Sequence, residues 1–395
     1  MWLLIMLGAL MMLPPLSIDI SLPGLPRIAH ALGAPPALLQ WTLSAFVLAF
    51  GLGQLVLGPL SDRIGRRPVV LGGLLLFTAA GIGCSFAADA RILVALRLFQ
   101  GIGACAGTVC ARAIAQDLSH DRAGATFRQA VLQAVNSLAP ILAPLLGALI
   151  LIILEWRWLY GLLAIVGAVL TALVAVYLPE TSPRVAGEFG AAYARVLRLP
   201  RTAGLTLLIA ASFFGYFSLI TGSPFALIEQ LHVSSTWFAV AFAVNACAFL
   251  IGATITGRLA RKIDPEWLLL TGVGVIVAAG GLIFAIDRYA PSVPGFVVTW
   301  ALLALGIALA LPGAFAALLG GAKRDAGLAA GVAGAGQFLA GALGSALSGA
   351  LGGTPTSTLG LLAAIGAAGT AAGYLLSRPP LGQQRQLREV PAEET

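Results

Sequence analysis

Charged side chains interrupt this sequence so rarely that they mark out its segments. Charge-free runs cover 1–18, 28–61, 68–88, 129–154, 158–179, 202–228, 230–257, 267–286, 289–322 and 326–377. Each has room for the roughly 20 apolar residues with which a helix crosses a bilayer. The run 326–377 is long enough for two helices, with Gly352-Gly353-Thr354-Pro355 as the turn between them. A further span, about 92–111, is broken only by Arg97. The runs are continuously apolar rather than alternating, so they predict helices and not barrel strands. The pattern predicts twelve spans.

Composition agrees with the pattern. Of 395 residues, 59% are hydrophobic and 10% charged, and the mean hydropathy is +0.96. Soluble domains average about 45–50% apolar and about 25% charged residues. A water-soluble globule of this length cannot hide so much apolar surface, which excludes a soluble enzyme, a nucleic-acid binder and a disordered chain. The net charge of +7 is then a matter of orientation. With the N-terminus inside, one set of loops and the C-terminal tail carry 18 Lys and Arg, and the opposite loops carry only Arg27, Arg91, Arg157 and Arg288. Basic loops stay in the cytoplasm, so both termini are expected there. A missed or invented span would scramble this split.

Other chemistry is sparse. Met1–Leu13 lacks the basic start of a secretory signal and reads as the first span. Cys84, Cys105, Cys110 and Cys247 all fall in apolar runs and read as packing residues. His30, His120 and His232 have no metal-ligand spacing. No phosphate-binding glycine loop opens a nucleotide domain, so neither a metal nor a cofactor is expected, and the energy source should be an ion gradient.

The longest basic connection, 179–203, divides the chain into an N-terminal half, 1–178, and a C-terminal half, 204–378, followed by a tail, 379–395. Gly58-Pro-Leu60-Ser-Asp62-Arg63-Ile64 recurs in degenerate form as Gly257-Arg-Leu259-Ala-Arg261-Lys262-Ile263. Two parallel halves with a site between them is the logic of alternating access. The expected fold is an all-α integral membrane protein with twelve transmembrane helices in two six-helix pseudo-symmetric halves.

The strongest local motif is Gly58-Pro59-Leu60-Ser61-Asp62-Arg63-Ile64-Gly65-Arg66-Arg67-Pro68. It resembles the signature loop of the major facilitator superfamily, G-x-L-x-D-R-x-G-R-[RK]. Leu96-Arg97-Leu98-Phe99-Gln100-Gly101 is similar to that family's second motif. Ala139-Pro140-Ile141-Leu142-Ala143-Pro144-Leu145-Leu146-Gly147-Ala148 resembles its antiporter motif, with Ala at three Gly positions and Pro144 and Gly147 retained. Ser17-Ile18-Asp19 with Leu22-Pro23-Gly24-Leu25-Pro26, and Leu178-Pro179-Glu180-Thr181, look like the Bcr/CflA branch of drug/proton antiporters.

The resemblance implies a proton-coupled exporter of small, largely apolar compounds in a bacterial inner (plasma) membrane. Such a protein is not an enzyme, needs no cofactor beyond a proton gradient, and works as a monomer with protons and a small molecule as partners and no nucleic acid. A specific metabolite exporter or an uncoupled facilitator of the same fold is the alternative. The resemblance also assigns the loop of Gly58, Asp62, Arg63, Gly65, Arg66 and Arg67 to a conformational latch, against which the start of span eleven would dock. Ala143, Pro144 and Gly147 would form the antiporter-type element.

Asp19 and Arg97 are the only ionisable residues inside the predicted spans. Each costs roughly 2.5–3.5 kcal/mol at mid-helix on the insertion scale. A carboxylate that exchanges protons needs partial desolvation and a nearby cation to reset it. Asp19 reads either as that group, with Arg97 as its regulator, or as an acid solvated at the mouth of span one. Arg97 reads alternatively as a bracket on backbone carbonyls. Gln40, Trp41, Gln54, Gln100, Gln133, Asn136, Phe213, Phe214, Tyr216, Phe217, Asn245 and Gln337 are the candidate cavity lining. Few fixed charges and many rings suit varied apolar ligands better than a sugar.

Overall fold

The computed structural model describes residues 2–118, 128, 131–181, 200–259, 262–289, 292–322, 326–351 and 354–378. Among them are twelve helices long and apolar enough to cross a membrane, numbered here in chain order. They are Trp2–Ala31, Pro36–Ile64, Arg66–Ser85, Ala90–Asp117, Val131–Ile153, Arg157–Tyr177, Arg201–Gln230, Ser235–Leu259, Glu266–Ile286, Val293–Leu319, Ala329–Ala350 and Pro355–Ser377. No strand occurs among the described residues. The chain is an all-α, multi-pass membrane protein. Most of the basic connection 179–203 and the whole of the tail 379–395 lie outside the described residues.

Helix packing repeats with an offset of six. Span one packs on spans four, five and six, and span seven packs on ten, eleven and twelve. Span four takes spans two and three, and span ten takes eight and nine. Spans three and six pair, as do nine and twelve. The main contacts that cross between the first six and the last six are two with eleven and five with eight.

Water does not drive helices together inside lipid, so association depends on close fit and small residues. Gly101 of span four shows the fit, because a Cβ there would collide with the Phe46 carbonyl of span two. Gly366 of span twelve lies so close to Gly215 of span seven that a Cβ would come within 2.8 Å of its backbone. Outward faces carry large apolar residues instead. Leu75, Ile152, Val176 and Leu375 are all exposed, as a surface that meets lipid chains should be.

The contact between spans two and eleven is a polar seam. Ser44 Oγ donates to Ser345 Oγ at 2.8 Å, and Ser345 also pairs with Thr221 of span seven at 2.7 Å. Ser348 Oγ donates to Gln40 Oε1 at 2.9 Å. The seam runs from Ala37 against Gly349 to Gln54 against Gly334, so it closes the end of the molecule opposite the Asp62 loop. Further toward that loop the fit loosens, and a Cβ at Gly331 would meet nothing within 4 Å.

Gly101→Val should push spans two and four apart, and overpacking of this kind costs about 1–3 kcal/mol or more. Gly274→Val is the control, since open space surrounds Gly274. The first should lower the melting temperature in detergent and the yield of monodisperse protein, and the second should change neither. Equal melting temperatures for both would refute the assigned contact.

Candidate functional site

Span one is not a continuous helix. It is helical over Trp2–Asp19, passes through a 3-10 turn at Leu22–Gly24 and resumes over Leu25–Ala31. The cause lies in the sequence, because proline has no N–H. Pro23 and Pro26 therefore cannot donate to the carbonyls of Asp19 and Leu22, four residues earlier. The chain recovers part of the loss locally. Gly24 N donates to Ser21 O at 3.0 Å, and Ser21 Oγ donates to Ile18 O at 3.1 Å.

Other spans grip the break. Arg97 of span four, which is fully buried, donates from Nη2 to Ser17 O at 3.0 Å and from Nη1 to Gln100 Oε1 at 2.7 Å. Ser17 O is one of the last carbonyls of the first helical segment, where backbone dipoles favour a cation. The guanidinium also sits 4.4 Å over the Phe46 ring and 5.8 Å from the Tyr160 ring centroid. The buried Tyr160 hydroxyl makes no hydrogen bond among the described residues. From span five, Gly147 lies against Ile20 O so closely that a Cβ would collide with it and meet Pro23 Cγ at 3.2 Å. At the far end of span one, Arg27 Nη1 donates to Leu151 O of span five at 2.7 Å.

Asp19, the last residue before the break, is 4% exposed. Among the described residues it makes no hydrogen bond and no ion pair. Its neighbour across the molecule is Tyr216 of span seven, which lies within electrostatic reach of it. The 3-10 turn itself touches spans five, seven and eight. The acid therefore stands where spans of both sets meet.

A file of aromatic rings leads from Arg97 to the same place. Phe46 stacks on Phe50 at 6.5 Å, and Phe50 meets Phe338 of span eleven edge-on at 4.7 Å. Phe338 touches Phe213 at 6.5 Å and Phe217 at 6.1 Å, both on span seven. Tyr216 closes on Phe213 and Phe217, and its hydroxyl donates to Asn245 Oδ1 of span eight at 3.0 Å.

The Asp62 loop forms a second polar centre. Gly65 takes φ +113°, a conformation that side-chain-bearing residues rarely adopt, and turns span two into span three. Arg66 is the hub, pairing with Asp62 at 2.5 Å and with Asp117 at 3.3 Å. Glu180, after span six, accepts from the Arg66 backbone N at 2.8 Å and the Arg67 backbone N at 3.3 Å. Arg67 Nη2 donates to Ala175 O at 2.6 Å, and Arg63 is exposed. Gly58 leaves Val109 at 3.7 Å from a would-be Cβ. Docking of span eleven on Asp62 concerns residues 321–328, whose side chains lie outside the described residues.

Several expectations change. Asp19 is not solvated at a mouth, because span one continues twelve residues beyond it to Ala31. Arg97 brackets a backbone carbonyl and does not pair with Asp19. Gln100 is taken up by Arg97, and Gln40 by the seam. Trp41 is exposed on the same face as Leu48 and Leu52, away from the rings. Gln133 is exposed, whereas Asn136, Phe214 and Gln337 are half-buried. Ala143 and Pro144 are buried beside Gly147.

Phe46, Phe50, Phe338 and Tyr160 were not among the expected site residues, nor were Ser17, Asp117 and Glu180. The four-residue spacing of Phe46 and Phe50 was a usable signal for one face of a helix. No group of His, Cys, Asp and Glu suited to a metal occurs among the described residues.

Comparison with known proteins gives a consistent picture. The family model of the Major Facilitator Superfamily matches residues 7–290 and 205–394. A chloramphenicol resistance protein of Pseudomonas aeruginosa is 31% identical over 304 residues, 76% of this chain and 72% of its own. The multidrug resistance protein MdtL of Citrobacter koseri is 29% identical over 335 residues, 83% of this chain and 84% of its own. In fold, the chain is similar to a bacterial homolog of the human lysosomal transporter Spinster, in an inward-facing, occupied crystal structure. The TM-score is 0.76 at 15% identity, covering 96% of this chain and 97% of that one.

If Arg97 caps the break, Arg97→Met should leave Ser17 O and Gln100 without partners, at about 1–3 kcal/mol for each buried group. The melting temperature in detergent should fall by several degrees, and Arg97→Lys, which keeps a donor, should recover part of it. A melting curve for Arg97→Met that overlays the wild type would remove the cap.

Proposed function

Because the chain belongs to the Major Facilitator Superfamily, we propose that it exports small, largely apolar compounds, drugs among them, in exchange for protons. The observation that carries this reading is Asp19, a buried carboxylate whose side chain has no hydrogen bond or ion pair among the described residues, next to the break of span one where spans five, seven and eight converge. A buried carboxylate without a cation is tolerable as the neutral acid and strained as the anion. It therefore holds a proton well in a closed site and releases it when water reaches it. The names of the chloramphenicol and multidrug resistance relatives supply the substrate class.

The basic loops orient the protein in a bacterial inner membrane with both termini cytoplasmic. The halves 1–178 and 204–378 rock about the crossing of spans one, seven and eight, and the linker 179–203 joins them. In this arrangement the seam of Gln40, Ser44, Ser345 and Ser348 closes the outward side, and the Asp62, Arg66 and Glu180 network governs the cytoplasmic one. The protein is a monomeric transporter and not an enzyme, driven by the proton gradient without a cofactor. Its cargo enters among the rings of Phe213, Phe217 and Phe338, a lining of few charges that accepts varied apolar molecules.

Asp19→Asn fixes the site in its neutral form. In proteoliposomes with an imposed pH gradient, uphill movement of chloramphenicol should fall at least about tenfold, while downhill exchange at equal pH persists. Gradient-driven flux equal to the wild type would sink the coupling assignment.

A further inference from the structure

One buried polar group between spans seven and eight is left without a partner. Asn245 is fully buried. Its Oδ1 accepts the Tyr216 hydroxyl at 3.0 Å, and its Nδ2 makes no hydrogen bond among the described residues. A buried donor left unmade costs about 1–3 kcal/mol, and a leucine would occupy the same volume without that penalty. Hydroxyls of span seven nearby are paired, although Thr206 Oγ1, ten residues before Tyr216, is not. Ser212 pairs with Thr370, Ser218 Oγ donates to Gly215 O, and Thr221 pairs with Ser345. What sets the Asn245 amide apart from other unpaired buried groups is its place at the edge of the ring cluster.

Its surroundings define what would satisfy it. Tyr216 holds the amide by its oxygen, which turns the NH2 away from the tyrosine. The same tyrosine is the edge of the ring cluster, 6.1 Å from Phe213 and 6.4 Å from Phe217, with Phe338 adjoining both. The missing partner is therefore an acceptor, attached to something that packs against aromatic faces. Asp19, which lies within electrostatic reach of Tyr216, is reserved for the proton in the export reading. An unpaired ligand charge in so desolvated a place would be costly, which favours an uncharged molecule.

We propose that Asn245 determines specificity by donating from Nδ2 to a carbonyl or hydroxyl oxygen of an uncharged aromatic substrate, whose ring lies among Phe213, Phe217 and Phe338. This rests on the export reading and names the substrate class of that site. Tyr216 is a positioning residue, since it acts through the amide that it orients. Phe338 comes from span eleven and Asn245 from span eight, so one bound molecule would touch both.

The test uses the full chain in proteoliposomes with chloramphenicol, an uncharged aromatic amide, as the probe. KM and kcat are measured for the wild type, Asn245→Leu, Asn245→Gln and Tyr216→Phe. Asn245→Leu should raise KM about tenfold, equivalent to about 1.4 kcal/mol of binding, with kcat within threefold. Asn245→Gln, which keeps the amide, should recover part of the loss, and Tyr216→Phe should raise KM about threefold. A wild type that transports chloramphenicol while Asn245→Leu keeps its KM overturns this assignment and leaves export standing. A fall in kcat at constant KM, unrelieved by Asn245→Gln, overturns it too, because that marks a structural role. A wild type that moves no chloramphenicol overturns the export reading and this inference together. Should Asn245→Leu fail to fold, Tyr216→Phe and Asn245→Gln carry the same decision.

Discussion

Two prolines in the first span set the terms for the rest of the site. A helix inside lipid has no water to satisfy a carbonyl that loses its N–H partner. Pro23 and Pro26 remove two such N–H partners and interrupt the helix just after Asp19, with Leu22 O recovered by Leu25 N. The interruption is stable only because neighbours meet it. Arg97 takes Ser17 O, Ser21 Oγ takes Ile18 O, and the absence of a side chain at Gly147 lets span five close onto Ile20. The antiporter-like residues and the membrane-embedded arginine thus serve one local purpose, which is to hold a broken backbone in place. Irregular backbone at membrane depth occurs where protein buries it or a cavity is lined by it, and here it carries the buried carboxylate of Asp19.

The charge of Arg97 is also handled without an acid. A buried guanidinium needs compensation, and it finds carbonyl dipoles at a helix end together with the faces of Phe46 and Tyr160. Asp19 is consequently not committed to an ion pair. Had the two paired, the carboxylate would be held charged and would be a poor carrier of protons. The file of rings from Phe46 to Tyr216 joins the two groups by packing and not by charge.

Much of this was legible in the sequence. Runs free of charge marked twelve spans, because transmembrane helices obey a length rule and a polarity rule at once. Asp19 and Arg97 were singled out by the expense of charged groups among apolar ones, Asp62 by its loop motif, and Asn245 only as one of twelve candidate lining residues. What was not legible was which polar group faces which. Gln100 and Gln40 look alike as isolated amides, yet one is absorbed by an arginine three residues away and the other by a serine 308 positions later. Glu180 was visible only as part of a short motif, and its contact with the Arg66 and Arg67 backbone depends on how span six ends. Phe338 and Phe50 meet only when spans two and eleven are brought together, and no pattern within either helix announces it. Trp41 shows the converse, an aromatic residue that was a candidate for the cavity lining and whose helical face turns it outward.

The two ends of the molecule carry polar networks of different kinds. The Arg66 network is built of full charges, and such attractions weaken as dissolved ions accumulate. The opposite seam consists of hydroxyls and one amide with no net charge, each bond contributing about 0.5–1.5 kcal/mol. Neutral dipoles are indifferent to ionic strength, and parting them moves no charge through the electric field of an energised membrane. Dissolved salt therefore acts on one of these two networks and leaves the other unchanged.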